Sequence, residues 1–404
     1  MTTTINNKNK KPNVPNLRFP EFQGEWEEST IGEMFDLYSG NTPSRLNKEH
    51  FKGTVNWISS GELKEHYIYS SKEQISEEAA KSLKLLPVGT FVIAIYGLEA
   101  EGVRGTGSII QEPSTISQAC MSFIPKGVIE NEFLYSWYKK HGNVIGIRYA
   151  QGTKQQNLSY DILEKFMIAY PNTKEQEKLN KFISLLDERI ATQNKIIEDL
   201  KKLKSAISKL LFAQKPNGWN RLDTLFSKGK AGGTPTSTNK VYYNGEIPFL
   251  SINDITKQGK YVRCTENYLS QSGLENSSAW VVPKYSLIMS MYASVGLVTI
   301  NELPLATSQA MFAMQLKDKN LLDYLYYYLS YFKYRHIHKY LETGTQSNIN
   351  ADIVRGIMIP TYGYRHNIEI ASTLQGVDAK TDNELSVLEQ LHRQKNYFLS
   401  QMFI

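Results

Sequence analysis

Two carboxylates and a lysine are the first residues of this chain whose types could support catalysis. Asp36, followed by Glu62 and Lys64, has the composition of the acid–acid–lysine sets with which nucleases hold a metal ion and cut phosphodiesters. A similar stretch later in the chain, Asp254-Ile255-Thr256, lacks the lysine. We therefore predict no nuclease activity from these residues.

Glycines at 102, 105 and 107 are the nearest approach to a nucleotide-binding loop. Their spacing does not match the dinucleotide fingerprint, and no Gly-x-x-x-x-Gly-Lys-Ser/Thr sequence is present. An Asn-Pro-Pro-Tyr-like methyltransferase site is also missing. The segment is predicted to be a turn, with main-chain contact to phosphate as the alternative. We expect no catalytic residue and no cofactor in this chain.

Histidines and cysteines do not form a metal-binding pattern. His336 and His338 stand beside Arg335 and Lys339 without a third ligand, whereas a zinc site needs three or four. The two cysteines, Cys120 and Cys264, are too few for a disulfide framework. We predict no metal site and a reducing, cytoplasmic location.

Composition is that of a globular protein with a mild positive charge. The 404 residues are 41% hydrophobic and 21% charged, with a formal net charge of +6. No apolar run reaches the roughly 18 residues of a membrane span, so we expect no membrane contact. The charge permits nucleic-acid binding without requiring it.

The chain contains an internal repeat at an offset of about 191 residues. Each half has short β-rich runs punctuated by Gly, Pro and Asn and lacks alternating long helices, which predicts an α+β fold rather than a doubly wound sheet. Matching segments include Thr42-Pro43-Ser44 with Thr234-Pro235-Thr236, Ser117-Gln118-Ala119 with Ser308-Gln309-Ala310, and Asp187 with Asp378.

Each half ends in a segment with heptad spacing. Lys204 and Gln193 break the first apolar seam, and Lys395 and Glu384 break the second at matching places. Polar breaks of this kind fix the register of a coiled coil. The predicted seam positions are Leu179, Ile183, Leu186, Ile190, Ile197, Leu200, Ile207 and Leu211 in the first helix, and Ile370, Leu374, Val377, Leu388, Leu391, Phe398 and Met402 in the second.

Connectivity makes the predicted helix pair antiparallel. The second globular half begins shortly after the first helix ends, so the second helix must run back toward the first half. The predicted pseudo-two-fold dumbbell would hold two domains on the order of 50 Å apart. The alternative is that each helix packs on its own domain. The predicted segments are a flexible tail (1–16), a first domain (17–172), a spacer helix (173–215), a second domain (216–364) and a second spacer helix (365–404).

Two similar domains on a rigid spacer could address two short DNA half-sites, because the major-groove face of DNA recurs about every 34–36 Å. The chain resembles the specificity (S) subunits of type I restriction–modification enzymes from about Leu17 onward. The resemblance rests on Leu17-Arg18-Phe19-Pro20-Glu21-Phe22, Gly40-x-Thr42-Pro43-Ser44 and Pro171-x-x-x-Glu175-Gln176. The second copy departs from the last motif with Tyr362-Gly363-Tyr364-Arg365-His366-Asn367.

The resemblance implies a non-catalytic subunit with two tandem target recognition domains and two helical spacers. It implies a bipartite, asymmetric double-stranded DNA target. It also implies two modification subunits that bind S-adenosylmethionine and methylate adenine, and two restriction subunits that hydrolyse ATP and cut DNA with Mg²⁺.

Polar loops supply the candidate DNA-contacting residues, because Arg, Asn and Gln read base edges and small polar side chains bind phosphates. The same residues also fit turns and helix caps, the alternative for each. The candidates are Asn41, Thr42, Ser44, Arg45, Tyr96, Arg104, Lys154, Gln155, Gln156 and Asn157 in the first half, and Thr234, Thr236, Ser237, Tyr292, Ser294, Gln346, Ser347 and Asn348 in the second.

Tyrosines at 324 and 326–328 could suggest base stacking, but their helical spacing predicts core packing. Two other function classes stay open at this stage: a two-headed protein-interaction scaffold and an enzyme with an unrecognised site. Steeply salt-dependent DNA binding would separate a DNA reader from a scaffold, because phosphate contacts release counterions.

Overall fold

A computed structural model describes residues 12–100, 102–152, 156–340 and 348–404. The chain divides into two compact units. The first unit comprises Met1–Asn194 and Ser386–Ile404, and the second comprises Lys195–Leu385. Both boundaries fall within long helices, so each unit contains one globular domain and a section of each long helix.

Ten strands lie in the described part of the first unit. They are β1 (Glu27–Thr30), β2 (Phe35–Ser39), β3 (Val55–Ile58), β4 (Tyr67–Ile68), β5 (Glu73–Ile75), β6 (Phe91–Ala94), β7 (Gly107–Ile110), β8 (Ser114–Ile116), β9 (Cys120–Pro125) and β10 (Met167–Tyr170). Eleven strands lie among the described residues of the second unit. They are β11 (Gly218–Arg221), β12 (Phe226–Ala231), β13 (Tyr243–Leu250), β14 (Tyr261–Val262), β15 (Asn267–Leu269), β16 (Val281–Val282), β17 (Leu287–Ser290), β18 (Val298–Asn301), β19 (Leu305–Thr307), β20 (Met311–Leu316) and β21 (Met358–Thr361).

Ten α-helices and six short 3₁₀ segments complete the described elements. The α-helices are α1 (Ile31–Met34), α2 (Glu77–Ala80), α3 (Asn131–Tyr149), α4 (Tyr160–Leu163), α5 (Thr173–Phe212), α6 (Ile252–Gln258), α7 (Gln271–Glu275), α8 (Leu322–Arg335), α9 (Ala351–Gly356) and α10 (Tyr364–Met402). The 3₁₀ segments are Lys48–Phe51, Ser60–Glu62, Leu222–Thr224, Lys240–Tyr242, Lys319–Leu321 and Ile337–Lys339. Among the described helices, none is both long and apolar enough to cross a membrane.

The main sheets of the two units have the same topology, and their smaller sheets differ by one strand. The main five-stranded sheet has the order β2-β9-β6-β7-β4 in the first unit and β12-β20-β17-β18-β14 in the second. A smaller sheet has the order β5-β3-β8 or β15-β13-β19-β16, and a two-stranded ladder pairs β1 with β10 or β11 with β21. Most pairs are antiparallel, but the β4–β7 and β3–β8 pairs are parallel, as are their counterparts. The fold is α+β and duplicated, as predicted.

Helix α8 confirms the predicted core role of the aromatic stretch in the second unit. Tyr324, Tyr327 and Tyr328 are each at most 5% exposed and belong to one apolar cluster. The Tyr324 hydroxyl donates to the carbonyl of Pro360 at 2.7 Å, which satisfies the polar end of a buried ring. Helix α3 occupies the same place in the first unit and buries Phe133 and Trp137.

The long helices pair in an antiparallel sense inside each unit. In the first unit, Phe182 of α5 packs edge-on against Phe398 of α10 with ring centroids 4.9 Å apart. Asp187 of α5 also accepts a hydrogen bond from Lys395 of α10. In the second unit, Lys204 forms an ion pair with Asp378. Residues in the first half of α5 thus contact residues near the end of α10, and residues near the end of α5 contact residues in the first half of α10. This confirms the predicted antiparallel pairing.

Every predicted seam residue is buried or half-buried. Ile183 and Leu374 are among the most deeply buried, at 1% and 0% exposed. The predicted polar breaks at Lys204 and Lys395 are the two lysines that pair across the helices. Buried apolar stripes account for the association, and these ion pairs restrict its register.

Hydrogen bonds to Glu175 at the start of α5 hold the N-terminal segment of the first unit in place. Glu175 is fully buried and receives two hydrogen bonds from Arg18, at 2.8 and 2.7 Å, and one from the Trp26 indole at 3.3 Å. The carbonyl of Asn13, within the segment predicted to be a tail, accepts from the Trp26 amide at 2.7 Å. Leu17 donates to the Gln401 carbonyl at 3.0 Å.

Candidate nucleic-acid interface

Four chain segments meet in the first unit beyond the carboxyl ends of β2 and β6 and the amino end of β9. Main-chain hydrogen bonds join them. Amide nitrogens donate to carbonyl oxygens from Gly40 to Cys120 (3.3 Å), from Asn41 to Ile116 (3.1 Å), from Ile95 to Ala119 (2.9 Å) and from Leu158 to Ile95 (2.9 Å). The predicted loops around Asn41, Tyr96 and Asn157 therefore come together at one end of the domain.

The second unit repeats this arrangement bond for bond. Amide nitrogens donate to carbonyl oxygens from Gly232 to Met311 (3.1 Å), from Gly233 to Thr307 (2.9 Å), from Met291 to Ala310 (2.7 Å) and from Ile349 to Met291 (3.0 Å). We use the term loop face for residues 40–45, 95–98, 117–119 and 156–158 of the first unit, and for residues 232–237, 291–294, 308–310 and 348–349 of the second.

Nine of the fourteen predicted DNA-contacting residues that the structure describes lie exposed on or beside a loop face. Tyr96 and Tyr292 are 39% and 42% exposed although each follows a fully buried strand. The exposed candidates are Asn41, Ser44, Arg45, Tyr96, Thr234, Thr236, Ser237, Tyr292 and Ser294. The half-buried candidates are Thr42, Arg104, Gln156, Asn157 and Asn348. Lys154, Gln155, Gln346 and Ser347 lie outside the described residues.

A left-handed residue directly after each exposed tyrosine turns the chain at the loop face. Gly97 has φ +71° and its counterpart Ala293 has φ +59°. The Ser290 hydroxyl stabilises the second loop by donating to the Ser294 carbonyl at 2.6 Å and accepting from the Leu297 amide at 2.9 Å. The tyrosine is presented by a fixed main chain in both units.

Arg45 is held in an extended, charged arrangement at the edge of the first loop face. It makes a bidentate pair with Glu73 at 2.9 and 2.8 Å, and its guanidinium lies 4.6 Å from the centre of the Phe51 ring and 5.5 Å from that of Trp57. The hydrogen bonds to Glu73 raise the pKa of Arg45, so the cation persists. A planar, exposed cation of this kind fits phosphate or guanine.

Arg104 supports the first loop face from below. Its guanidinium donates to Gln156 Oε1 at 2.6 Å, and the main-chain N–H of Gln156 donates to the Glu99 carboxylate at 2.8 Å. This last bond lowers the pKa of the fully exposed Glu99. Arg104 Nε is buried and has no hydrogen-bond partner among the described residues. Arg104 and Gln156 are thus engaged with each other, which is a role that spacing did not predict.

The cap alternative is wrong for Asn157 and Asn348. The N-cap of α9 is Asn350, whose side chain accepts from the Ile353 amide at 2.9 Å, and the N-cap position of α4 is Ser159. Asn157 instead pairs its main chain with Gln151. The side chains of Asn157 and Asn348 are therefore not needed at the helix starts.

Glu62 of the nuclease-like set and its counterpart Asp254 in the second unit serve as caps. Glu62 accepts from the amide and hydroxyl of Ser59 at 2.9 and 2.6 Å, and from the Lys72 amide at 2.6 Å. Asp254 repeats this role with Ser251. Both carboxylates are consumed by local hydrogen bonds. No group of three potential metal ligands occurs in the part of the chain that the structure describes.

Glu175 and Gln176 are also structural. Both side chains are 0% exposed, so the motif at which the second copy departs is buried in the first unit. Gln176 accepts from the Glu130 amide and donates to the carbonyls of Val128 and Pro171. In the second unit, Asn367 accepts from the Tyr362 amide at 3.0 Å and fills a similar place.

Gln118 and Gln309 are candidate contact residues that sequence reasoning missed. Each is exposed in the third segment of its loop face, just ahead of strands β9 and β20. Glutamine can bind adenine through two hydrogen bonds. The Ser-Gln-Ala triplet that recurs in both halves of the sequence is the signal that marks both residues.

A model of the family described as "Type I restriction modification DNA specificity domain" matches the chain twice, at residues 23–202 and 216–393. The chain belongs to this family. Each match begins within a globular domain and extends into a long helix, so the family unit corresponds to one copy of the repeat.

Two curated relatives are specificity subunits of type I restriction enzymes. The MjaIX subunit of Methanocaldococcus jannaschii is 26% identical over 58% of this chain and 59% of its own length. The EcoR124I/EcoR124II subunit of Escherichia coli is 30% identical over half of each chain. The chain thus spans between a half and three fifths of the length of these relatives. The crystal structure of an S subunit from M. genitalium aligns over 97% of this chain and 99% of its own with a TM-score of 0.56, and at 16% identity it shows the shared fold.

Proposed function

We propose that this chain is the DNA-specificity subunit of a type I restriction–modification complex. Each recognition domain reads one half of a bipartite, asymmetric site in double-stranded DNA. The paired helices set the gap between the halves and bind two methyltransferase subunits.

The observation that carries this proposal is the duplicated loop face within a family of DNA specificity domains. Equivalent main chains present different side chains, for example Arg45 in the first unit and Ser237 in the second. Equivalent scaffolds with different exposed polar groups suit two different half-sites, because base identity is read by side-chain donors and acceptors.

Chemistry belongs to partner subunits in this proposal. Glu62 and Asp254, two of the carboxylates considered as catalytic acids, are engaged in helix caps. Two modification subunits would bind S-adenosylmethionine and methylate adenine N6, and two restriction subunits would use ATP and Mg²⁺ to cut DNA. We place the assembly in the cytoplasm, where the DNA substrate lies.

Co-expression with a modification subunit, followed by methylome sequencing, tests the function. We expect methylated adenine within a split motif that has a fixed gap. A stable complex that leaves the methylome unchanged would contradict the proposal. A protein-interaction scaffold would give that second result and would also lack steeply salt-dependent DNA binding.

A further inference from the structure

His66 forms a clamp in the first unit between its globular domain and the long helices. Its Nε2 lies 2.9 Å from a carboxylate oxygen of Glu132 on α3, and its Nδ1 lies 3.2 Å from one of Asp187 on α5. Asp187 also accepts from Lys395 on α10. The His66 side chain is only 12% exposed.

Only a protonated imidazole satisfies this arrangement. A neutral histidine carries one N–H and one lone pair, so one ring nitrogen would face a carboxylate oxygen without a proton between them. The imidazolium donates to both. The ring is also stacked between Tyr67, at 4.1 Å between centroids, and Tyr135, at 3.9 Å. These aromatic faces favour a cation.

Lys260 occupies the same position in the second unit. It directly precedes β14 as His66 precedes β4, and its side chain is also 12% exposed. Lys260 Nζ lies 2.7 Å from Asp323 Oδ1 on α8 and donates to the Tyr327 hydroxyl at 2.9 Å. That hydroxyl donates to Asp378 on α10 at 2.7 Å. Lys260 is thus connected to Asp378 through the Tyr327 hydroxyl, whereas His66 contacts Asp187 directly.

The rest of the clamp is duplicated. Asp378 pairs with Lys204 in the second unit as Asp187 pairs with Lys395 in the first. Equivalent hydrogen bonds hold the main chain at His66 and at Lys260. The anchoring bonds run from Ser108 Oγ to the Glu65 carbonyl (2.6 Å), from the Ile109 amide to the His66 carbonyl (2.8 Å), from Thr299 Oγ1 to the Gly259 carbonyl (3.0 Å) and from the Ile300 amide to the Lys260 carbonyl (2.8 Å).

We propose that His66 and Lys260 are positioning residues that hold each recognition domain against its section of the long helices, and that the contact made by His66 weakens when the imidazole loses its proton. The second contact has a lysine in place of the histidine. The inference rests on the proposed function only in naming these domains recognition domains, since the contacts belong to the fold.

The electrostatic surroundings give the direction of the pH effect. Burial opposes the charge of His66, but the hydrogen bonds to Asp187 and Glu132 outweigh it and raise the pKa of the imidazole above 6.5. A raised pKa in the folded state means that the contact is fully present below about pH 6.5 and is lost as the pH rises through the folded value.

Other charged groups face the same cluster. Glu65 lies on the same loop, Lys139 projects from α3, and Lys395 projects from α10. Burial, followed by repulsion from Lys395, lowers the pKa of Lys139 to about 8. Burial raises the pKa values of Tyr67 and Tyr135, which keeps both phenols neutral. Lys139 is therefore the second group whose titration a test must separate from that of His66.

Hydrogen–deuterium exchange on the full-length chain between pH 5.5 and 8.5, corrected for intrinsic exchange rates, measures each contact separately. We expect the protection factors of the amides at residues 64–69 and 183–191 to fall as the pH rises. The fall should reach about tenfold per pH unit between the pKa values of His66 in the unfolded and folded states. Protection at residues 258–263 should not change with pH in this way.

Charge swaps identify the titrating group. His66→Lys should remove the pH dependence from the first unit, and Lys260→His should introduce it at residues 258–263. The control is His392→Lys, which alters an exposed histidine of α10 and should leave every profile unchanged. The proposal is overturned if amide protection in the first unit of the wild-type chain does not change with pH. It is also overturned if the pH dependence persists in His66→Lys, because the titrating group would then be Lys139.

The exchange experiment contains no DNA and no partner subunit. Its failure would therefore refute the clamp while leaving the proposed function standing. Conversely, an unchanged methylome would refute the function while the clamp stood. If His66→Lys does not fold, Lys260→His alone decides, because a profile at residues 258–263 that stays flat in that variant overturns the proposal.

Discussion

Left-handed residues beside the exposed tyrosines carry a strain that differs between the two loop faces. Ala293 adopts φ +59°, where a side chain costs about 1–2 kcal/mol, while Gly97 adopts φ +71° freely. Ala293→Gly should stabilise the second unit by roughly 1 kcal/mol, and Gly97→Ala should destabilise the first by a similar amount. Nothing lies within 4 Å of a Cβ built on Gly97, so the second effect is purely conformational. Denaturant unfolding measures the free energy of unfolding of both variants. Changes of the same sign in Ala293→Gly and Gly97→Ala would contradict the prediction.

Arg45 provides a prediction about DNA contact at the same scale. Arg45→Gln should weaken DNA binding and reduce the slope of log affinity against log salt by about 1, because one phosphate neutralisation is lost. The matched control is Arg263→Gln. Arg263 is 67% exposed, against 57% for Arg45. It pairs with Glu302 at 2.7 Å and lies over Tyr261, but it is outside the loop faces. Equal losses in both variants would show that Arg45 contributes only general charge.

Helix pairing is specified at the scale of elements by apolar stripes and by ion pairs that cross between α5 and α10. The Lys204–Asp378 pair has side chains that are 32% and 24% exposed, whereas Lys202 and Asp199 pair within α5 at 71% and 61%. A double-mutant cycle should give a coupling of about 1–3 kcal/mol for the first pair. The exposed pair should give less than about 1 kcal/mol. Couplings of equal size would mean that these crossing pairs do not help to set the register.

Much of this element scale was predictable from the sequence. Heptad spacing located the seam and the lysine breaks, and the repeat predicted one topology for both domains. Strand order was not predictable, because the parallel pairing of β3 with β8 depends on contacts between segments far apart in sequence. The alternative role of Asn348 as a helix cap was also wrong, since Asn350 and not Asn348 meets the first turn of α9.

Two specificity domains in one chain predict separable recognition at the scale of the whole molecule. Replacing residues 217–360 with the second domain of another specificity subunit should change one half of the methylated motif and leave the other half and the gap unchanged. Methylome sequencing of cells that co-express the chimaera and a modification subunit measures this. Simultaneous change of both halves would show that the two domains do not read independently.

The sequence by itself determined the duplication, the α+β class, the two long helices and their antiparallel pairing. These features depend on periodic spacing and chain connectivity, which are visible in one dimension. Only the tertiary structure placed Asn41, Tyr96 and Asn157 on one loop face and brought His66 against Asp187, which is 121 positions away. Contacts of that kind depend on how sheets and helices pack, so no local pattern of residue types encodes them.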